Sequence, residues 1–141
     1  AEVLGVRLED IQLTTADTHL TPIALGSYSS RVTFMAGNAA KAAAEKARAR
    51  LFAVAAVALQ CDVDDLDARD RQIFRRDRPA EAVPFMQAVR LAEAENGVVA
   101  ASGSYAPPKL AGPYKGPGVG PSPASPFPAA VVQRAPMPLL A

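Results

Sequence analysis

The chain has 141 residues, enough for one domain with a modest hydrophobic core, and it has no apolar run near the roughly 20 residues that a membrane helix needs. Its net charge of +1, from 15 basic and 14 acidic side chains, gives no reason to expect a nucleic-acid or anionic-membrane partner. Because Cys61 and His19 are the only cysteine and histidine, the chain holds no internal disulfide, no cysteine-built iron–sulfur centre and no multi-histidine metal site.

The N-terminal part predicts a helix end, then a strand, then a loop. Ala1–Gly5 is typical of the last turn of a helix closed by glycine, so the chain is expected to begin inside an element and to be an internal piece of a longer protein. Ile11–Thr15 alternates apolar and polar residues, which predicts a strand within residues 8–15. Residues 17–22 read as a loop. His19 lies in it and is expected to be a surface residue rather than a catalytic one.

The strongest helix prediction covers residues 38–60. Asn38 can cap the free N–H groups of the first turn. Apolar residues recur at steps of three and four and form one predicted stripe: Ala40, Ala44, Ala47, Leu51, Val54, Ala55 and Ala58. The small side chains at its start should let the helix lie close to a neighbouring element. Lys41 and Glu45 are four residues apart and are expected to pair on the solvent side.

Three further elements are predicted downstream. Residues 71–75 suggest a strand paired with residues near Val63, residues 84–95 a helix, and residues 98–105 a strand. The acidic run 62–67 lacks the glycine and final glutamate of a calcium-binding loop, so a solvated loop is the better interpretation. The predicted fold class is α+β, with two helices packed on a small mixed β-sheet that is built from residues 8–15, 71–75 and 98–105.

Residues 107–141 differ in composition from the rest, because they contain ten of the 13 prolines. They predict an irregular, extended Pro/Gly-rich tail that follows a domain of residues 1–106. The segment Lys115–Gly120 lacks the spacing and the Lys-Ser/Thr ending of a phosphate-binding P-loop.

The segment Ser27–Thr33 is the best candidate for chemistry. Five of the eight residues from Gly26 to Thr33 carry a hydroxyl group, and Arg31 adds a guanidinium group directly before the long helix. Such a loop at a helix N-terminus can hold an anion. On composition alone, a serine-rich surface loop is the simpler interpretation. No catalytic pair and no metal cluster can be built from the chain.

The order of residues in this region resembles that of a known family. Leu20-Thr21-Pro22, Gly26–Phe34 and Gly37-Asn38-Ala39 are similar to the large subunits of molybdenum hydroxylases, a family that includes xanthine dehydrogenases, aldehyde oxidases and carbon monoxide dehydrogenases. The order Tyr-Ser-Ser-Arg-Val-Thr most resembles the 4-hydroxybenzoyl-CoA reductase branch. The similarity extends to about Gly120, and the sequence diverges after it.

The resemblance implies a partial molybdopterin-binding domain and a molybdenum–molybdopterin dinucleotide cofactor, in its cytosine form. It implies that the contacts to this cofactor come from Ser27, Tyr28, Ser29, Ser30, Arg31, Val32 and Thr33. It also implies iron–sulfur and FAD subunits as partners, a small-molecule substrate and a cytoplasmic location. The reaction would be the hydroxylation or reductive dehydroxylation of an aromatic or CoA-thioester substrate.

Some of the family's machinery has no match in this chain. The glycine-glutamine loop and the catalytic glutamate of the family are absent, so the chain is expected to be inactive alone. Beyond Gly120, Pro126 and Pro128 stand where the family continues into a strand, which prolines would break. The alternative is a non-enzymatic α+β interaction module with a proline-rich tail, which leaves Gly26–Gly37 unexplained.

Overall fold

The computed structural model describes residues 1–15, 17–21, 27 and 32–106, and the backbone of residues 130–132. The described residues include two α-helices: α1 (Gly37–Leu59) and α2 (Phe85–Asn96). Short strands form two sheets, the first from β1 (Leu66–Arg69), β2 (Gln72–Arg75) and β3 (Ala82–Pro84), the second from β4 (Ala101–Gly103) and β5 (Ala130–Val132). The α+β class is confirmed.

Helix α1 matches the predicted helix 38–60 closely, because its alanine-rich sequence has a high intrinsic helix propensity. It ends at Gln60, which adopts a left-handed conformation at φ 49°. The predicted pair Lys41–Glu45 is confirmed at 3.8 Å. The predicted cap at Asn38 is wrong, because a π-helical turn, Val32–Ala36, continues the helix backwards and leaves Asn38 inside it. The Asn38 amide instead donates a hydrogen bond to the carbonyl oxygen of Phe34.

The first sheet is antiparallel, with order β1-β2-β3, so the prediction of a mixed sheet is wrong. The reason is the short connections, since parallel strands need a crossover of a dozen or more residues. Asp70 and Arg71 alone join β1 to β2, at φ 49° and 65°, as a type I′ turn requires. The strand predicted at 71–75 is confirmed as β2, although its partners are β1 and β3 and Val63 lies in a 3₁₀ turn.

The hydrophobic core lies between the first sheet and the two helices. Alternation along the strands turns Leu66, Ile73 and Val83 inward, and each is almost wholly buried. They meet α1 through Leu51, Phe52, Val54, Ala55 and Ala56, and α2 through Ala88, Val89 and Ala92. The helix predicted at 84–95 is therefore confirmed, with Pro84 just before its first residue.

Residues 8–15 do not form the predicted strand. Leu8–Asp10 is a 3₁₀ turn in which the Asp10 carboxylate accepts a hydrogen bond from the Arg7 backbone N–H, and residues 11–15 have no regular structure. Ile11 and Leu13 are exposed, so among the described residues the apolar alternation packs against no sheet. The predicted helix end at Ala1–Gly5 is present as a 3₁₀ turn closed by Gly5 at φ 68°.

The second sheet pairs β4 with β5 in antiparallel register, from Ala101 opposite Val132 to Gly103 opposite Ala130. The strand predicted at 98–105 is shorter than expected, because only three residues have a partner strand. Strand β5 lies within residues 107–141, for which the sequence predicted only an irregular tail. Both strands lie beside α1.

Candidate functional site

The segment Ser27–Thr33 leads directly into the turn that precedes α1. Ser27 is exposed at a bend, and Val32 and Thr33 are exposed on the first residues of the π-helical turn. The other four predicted contact residues lie outside the described residues: Tyr28, Ser29, Ser30 and Arg31. The structure therefore places two of the seven residues together on one turn and a third five positions upstream in the chain.

The helical backbone begins in the π-helical turn, so the N-terminal end of the helix overlaps the predicted site. Backbone N–H groups at the start of a helix have no partner inside it and carry a partial positive charge. Because Ala36 is already helical, at φ −68° and ψ −36°, these groups belong to the turn Val32–Ala36 rather than to Asn38. They lie next to the hydroxyl-rich segment in the chain.

The sequence around this turn has no carboxylate that could compete with a bound anion. No aspartate or glutamate occurs between Asp17 and Glu45, whereas Arg31 and Lys41 are cationic. Neither the turn nor the first turn of α1 contains an acidic residue, and no side chain caps the start of α1. These features favour a phosphate-bearing ligand. A long acid-free interval at a helix start is a signal that the sequence analysis overlooked.

Strand β4 holds the first half of α1 by direct backbone contact. Gly103 is buried so close to α1 that a methyl group there would overlap the backbone of Ala39 and Ala43. Lys46 and Arg50 donate hydrogen bonds to carbonyl oxygens of the β4 segment, at Ser102 (3.0 Å) and Ala100 (3.1 Å). The predicted close approach of α1 to a neighbour is confirmed, and that neighbour is β4.

The apolar stripe on α1 begins one residue earlier than predicted. Ala39 and Ala43 are buried, whereas Ala40 and Ala58 are exposed and Ala44 is half-buried. From Ala47 to Ala55 the predicted stripe is confirmed: Ala47, Leu51, Val54 and Ala55 are all buried. Because alanine occurs on every side of the first turns, the sequence did not define the inner face, and the contact with Gly103 decides it.

One ring contact reaches the turn itself. The rings of Phe34 and Tyr105 lie edge to face, with centroids 5.3 Å apart and an interplanar angle of 88°. Phe34 is at the centre of the π-helical turn, and Tyr105 lies two residues beyond β4. The turn is therefore held by the same segment that holds α1.

An open cleft of about 770 Å³ lies along the outer face of β1 and β2, beside the N-terminal turn. Two of its charged residues, Asp67 and Arg69, have partners inside the protein. Arg48 donates to Asp67 at 2.9 Å and stacks on Phe52, and Arg69 stacks on Phe74. A backbone hydrogen bond from Ala68, together with Arg48, lowers the pKa of Asp67. Arg48 is about 16 Å along α1 from its start. The cleft is therefore separate from the turn Val32–Ala36 at the start of α1.

The described part of the chain offers no second centre for chemistry. Within it, no three His, Cys, Asp or Glu side chains lie close enough to hold a metal ion. His19 is exposed in a turn, as expected, and its backbone N–H donates to Asp17. Burial raises the pKa of the Cys61 thiol, which lowers its reactivity. No helix in the described residues is long and apolar enough to cross a membrane.

Parts of known proteins are similar to this chain. Residues 1–133 match the model of the molybdopterin cofactor-binding domain. The chain is 40% identical over 67 residues to the 6-hydroxypseudooxynicotine dehydrogenase complex subunit gamma of Paenarthrobacter nicotinovorans, and 42% identical over 67 residues to the carbon monoxide dehydrogenase large chain of Hydrogenophaga pseudoflava. Each match covers 48% of this chain but 8% of the relative. Because the family model matches nearly the whole sequence, the chain belongs to the molybdopterin cofactor-binding domain family.

Proposed function

We propose that this chain is part of the molybdenum-cofactor-binding subunit of an oxidoreductase and forms one wall of the cofactor site. The observation that carries the proposal is the exposed turn Val32–Ala36, which joins the hydroxyl-rich segment Ser27–Thr33 to the positive end of α1. The family match over residues 1–133 supports a molybdopterin as the ligand. The two dehydrogenase relatives support the class of enzyme.

The residues present fit the anionic part of such a cofactor. The exposed hydroxyls of Ser27 and Thr33 can donate hydrogen bonds to phosphate oxygens, and so can the N–H groups of the turn that have no partner within the helix. Arg31 would grip a phosphate in a bidentate way, and Tyr28, Ser29, Ser30 and Val32 complete the proposed contacts. When bound, the molybdenum centre supplies the two-electron redox chemistry. This segment would bind and orient the cofactor.

The substrate, the form of the cofactor and the partners are finer proposals. We propose the cytosine dinucleotide and an aromatic or CoA-thioester substrate, by resemblance to 4-hydroxybenzoyl-CoA reductases. We also propose that iron–sulfur and FAD subunits take up the electrons. One relative is described as a subunit of a complex and the other as a large chain, which supports assembly with further subunits. We also propose that the chain alone binds no molybdenum cofactor tightly, because it supplies only one wall of the site.

The decisive experiment purifies the complete subunit that contains this chain from a host that makes the molybdenum cofactor. We expect about one molybdenum per subunit, and cytidine monophosphate rather than guanosine monophosphate after hydrolysis. Arg31→Ala should lose molybdenum during dialysis roughly tenfold faster, because a charge-assisted hydrogen bond is removed. Arg90→Ala, the same change on the exposed side of α2, is the matched control. A complete subunit that carries no molybdopterin would disprove the proposal.

A further inference from the structure

Residues outside the predicted cofactor segment contact the π-helical turn and α1. Four contacts reach the turn or α1 from residues 100–105. Gly103 meets the helix backbone, Tyr105 meets Phe34 of the turn, and Lys46 and Arg50 of α1 donate to backbone carbonyl oxygens of Ser102 and Ala100. None of these residues belongs to the segment Ser27–Thr33.

We infer that Gly103 and Tyr105 are positioning residues for the cofactor: they set where the Val32–Ala36 turn presents its N–H groups, without touching the cofactor themselves. The inference rests on the proposed function. It names residues outside Ser27–Thr33 that set the position of the Val32–Ala36 turn.

Gly103 sets the distance between β4 and α1. A side chain there would meet the carbonyl oxygen of Ala39 and the backbone nitrogen of Ala43, and helix backbone cannot rotate away as a flexible side chain can. The added volume must therefore push the first turns of α1 away from β4. The turn Val32–Ala36 is continuous with those first turns, so it would shift with them. A displacement of about 1 Å is enough to weaken a preorganised site severely.

Tyr105 sets the orientation of the turn. Tyr105 is half-buried, and its ring packs edge to face against the ring of Phe34, which remains 50% exposed. Edge-to-face pairs favour one relative geometry, so the contact limits how the turn can rotate. Phe34 follows Thr33 directly, and the constraint therefore acts on a predicted contact residue. The contact requires the aromatic ring rather than the hydroxyl group.

The test compares matched variants of the complete subunit, with two readouts: the rate of molybdenum loss during dialysis, and the melting temperature of the cofactor-free protein. Gly103→Ala should lose molybdenum roughly tenfold faster. Loss of a contact that supports a bound group typically weakens its binding by about 10- to 100-fold, and we expect the lower value here. Gly5→Ala is the control, because a methyl group there also overlaps backbone, at Ala68, but in the N-terminal turn beside the first sheet. It should lower the melting temperature while molybdenum loss stays near the wild-type rate.

The Tyr105 variants keep the test decisive if Gly103→Ala does not fold. Tyr105→Leu should lose molybdenum roughly two- to tenfold faster, because that factor corresponds to the free energy of one aromatic pair. Tyr105→Phe keeps the ring and should lose molybdenum at the wild-type rate. Wild-type retention in Gly103→Ala and Tyr105→Leu would overturn the inference. So would equal losses in Gly5→Ala and Gly103→Ala at equal melting temperatures. If the wild-type subunit itself holds no molybdenum, the proposed function fails instead.

Discussion

Arg71 grips the carboxylate of Asp10 with two hydrogen bonds, from Nε to Oδ2 at 2.8 Å and from Nη2 to Oδ1 at 2.6 Å. The same residue forms the turn between β1 and β2, and its backbone N–H donates to the Gly5 carbonyl oxygen while its carbonyl oxygen accepts from Phe85 N–H. A single turn residue therefore connects the N-terminal segment to the first sheet and to the start of α2.

Asp10→Asn should lower the melting temperature of the chain at pH 7, and the effect should vanish in acid. The Arg71 hydrogen bond lowers the pKa of Asp10 from 3.8 to about 2 in the folded state. A carboxyl group with a lowered pKa stabilises the fold fully above pH 3.8, and that stabilisation disappears as the pH falls through about 2. Melting curves of both proteins between pH 7 and pH 2 measure it.

Glu9→Gln is the control for Asp10→Asn, because it removes an exposed carboxylate from the adjacent position. The melting temperature of Glu9→Gln should differ little from that of the wild type at every pH. If the difference between wild type and Asp10→Asn stays constant down to pH 2, the ion pair with Arg71 does not stabilise the fold.

Gln60→Gly should stabilise the chain by about 0.5–1 kcal/mol. Gln60 ends α1 in the left-handed conformation, at φ 49° and ψ 48°, which costs an L-residue about 1–2 kcal/mol and glycine nothing. The greater freedom of glycine in the unfolded chain cancels part of the gain. Urea unfolding gives the difference. Ala58→Gly, two residues earlier on the exposed side of α1, should have the opposite sign and cost about 1 kcal/mol.

Leu66→Ala should destabilise the chain by about 2–5 kcal/mol, because it leaves a cavity in the core beneath the first sheet. Leu66 is 0% exposed and packs in the cluster that joins the sheet to both helices. Leu8→Ala makes the same change at a leucine that is 75% exposed, and it should alter the unfolding free energy by less than about 0.5 kcal/mol. Similar losses from both changes in urea unfolding would contradict this placement of the core.

Local features decided what could be predicted from sequence. Helices α1 and α2 were predicted almost to the residue. Helical hydrogen bonds join residues four apart, and the apolar repeat is visible in the local sequence. Strand β2 was predicted for a similar reason. Residues 8–15 show the limit: their alternation resembles a strand, but a strand also needs a partner, and none of the strands in the described part of the chain pairs with Ile11 or Leu13.

The sequence by itself determined that Ser27–Thr33 is a hydroxyl-rich segment leading into a long helix. The order of residues in that segment resembled one enzyme family. Only the tertiary structure decided where the free end of that helix lies, because the π-helical turn before Gly37 leaves no signature in composition. It also decided which alanines of α1 face inward, since Gly103 is more than 60 residues away from Ala39 in the chain and meets it only after folding. Helical structure is local, whereas the position of the turn is set by that distant contact.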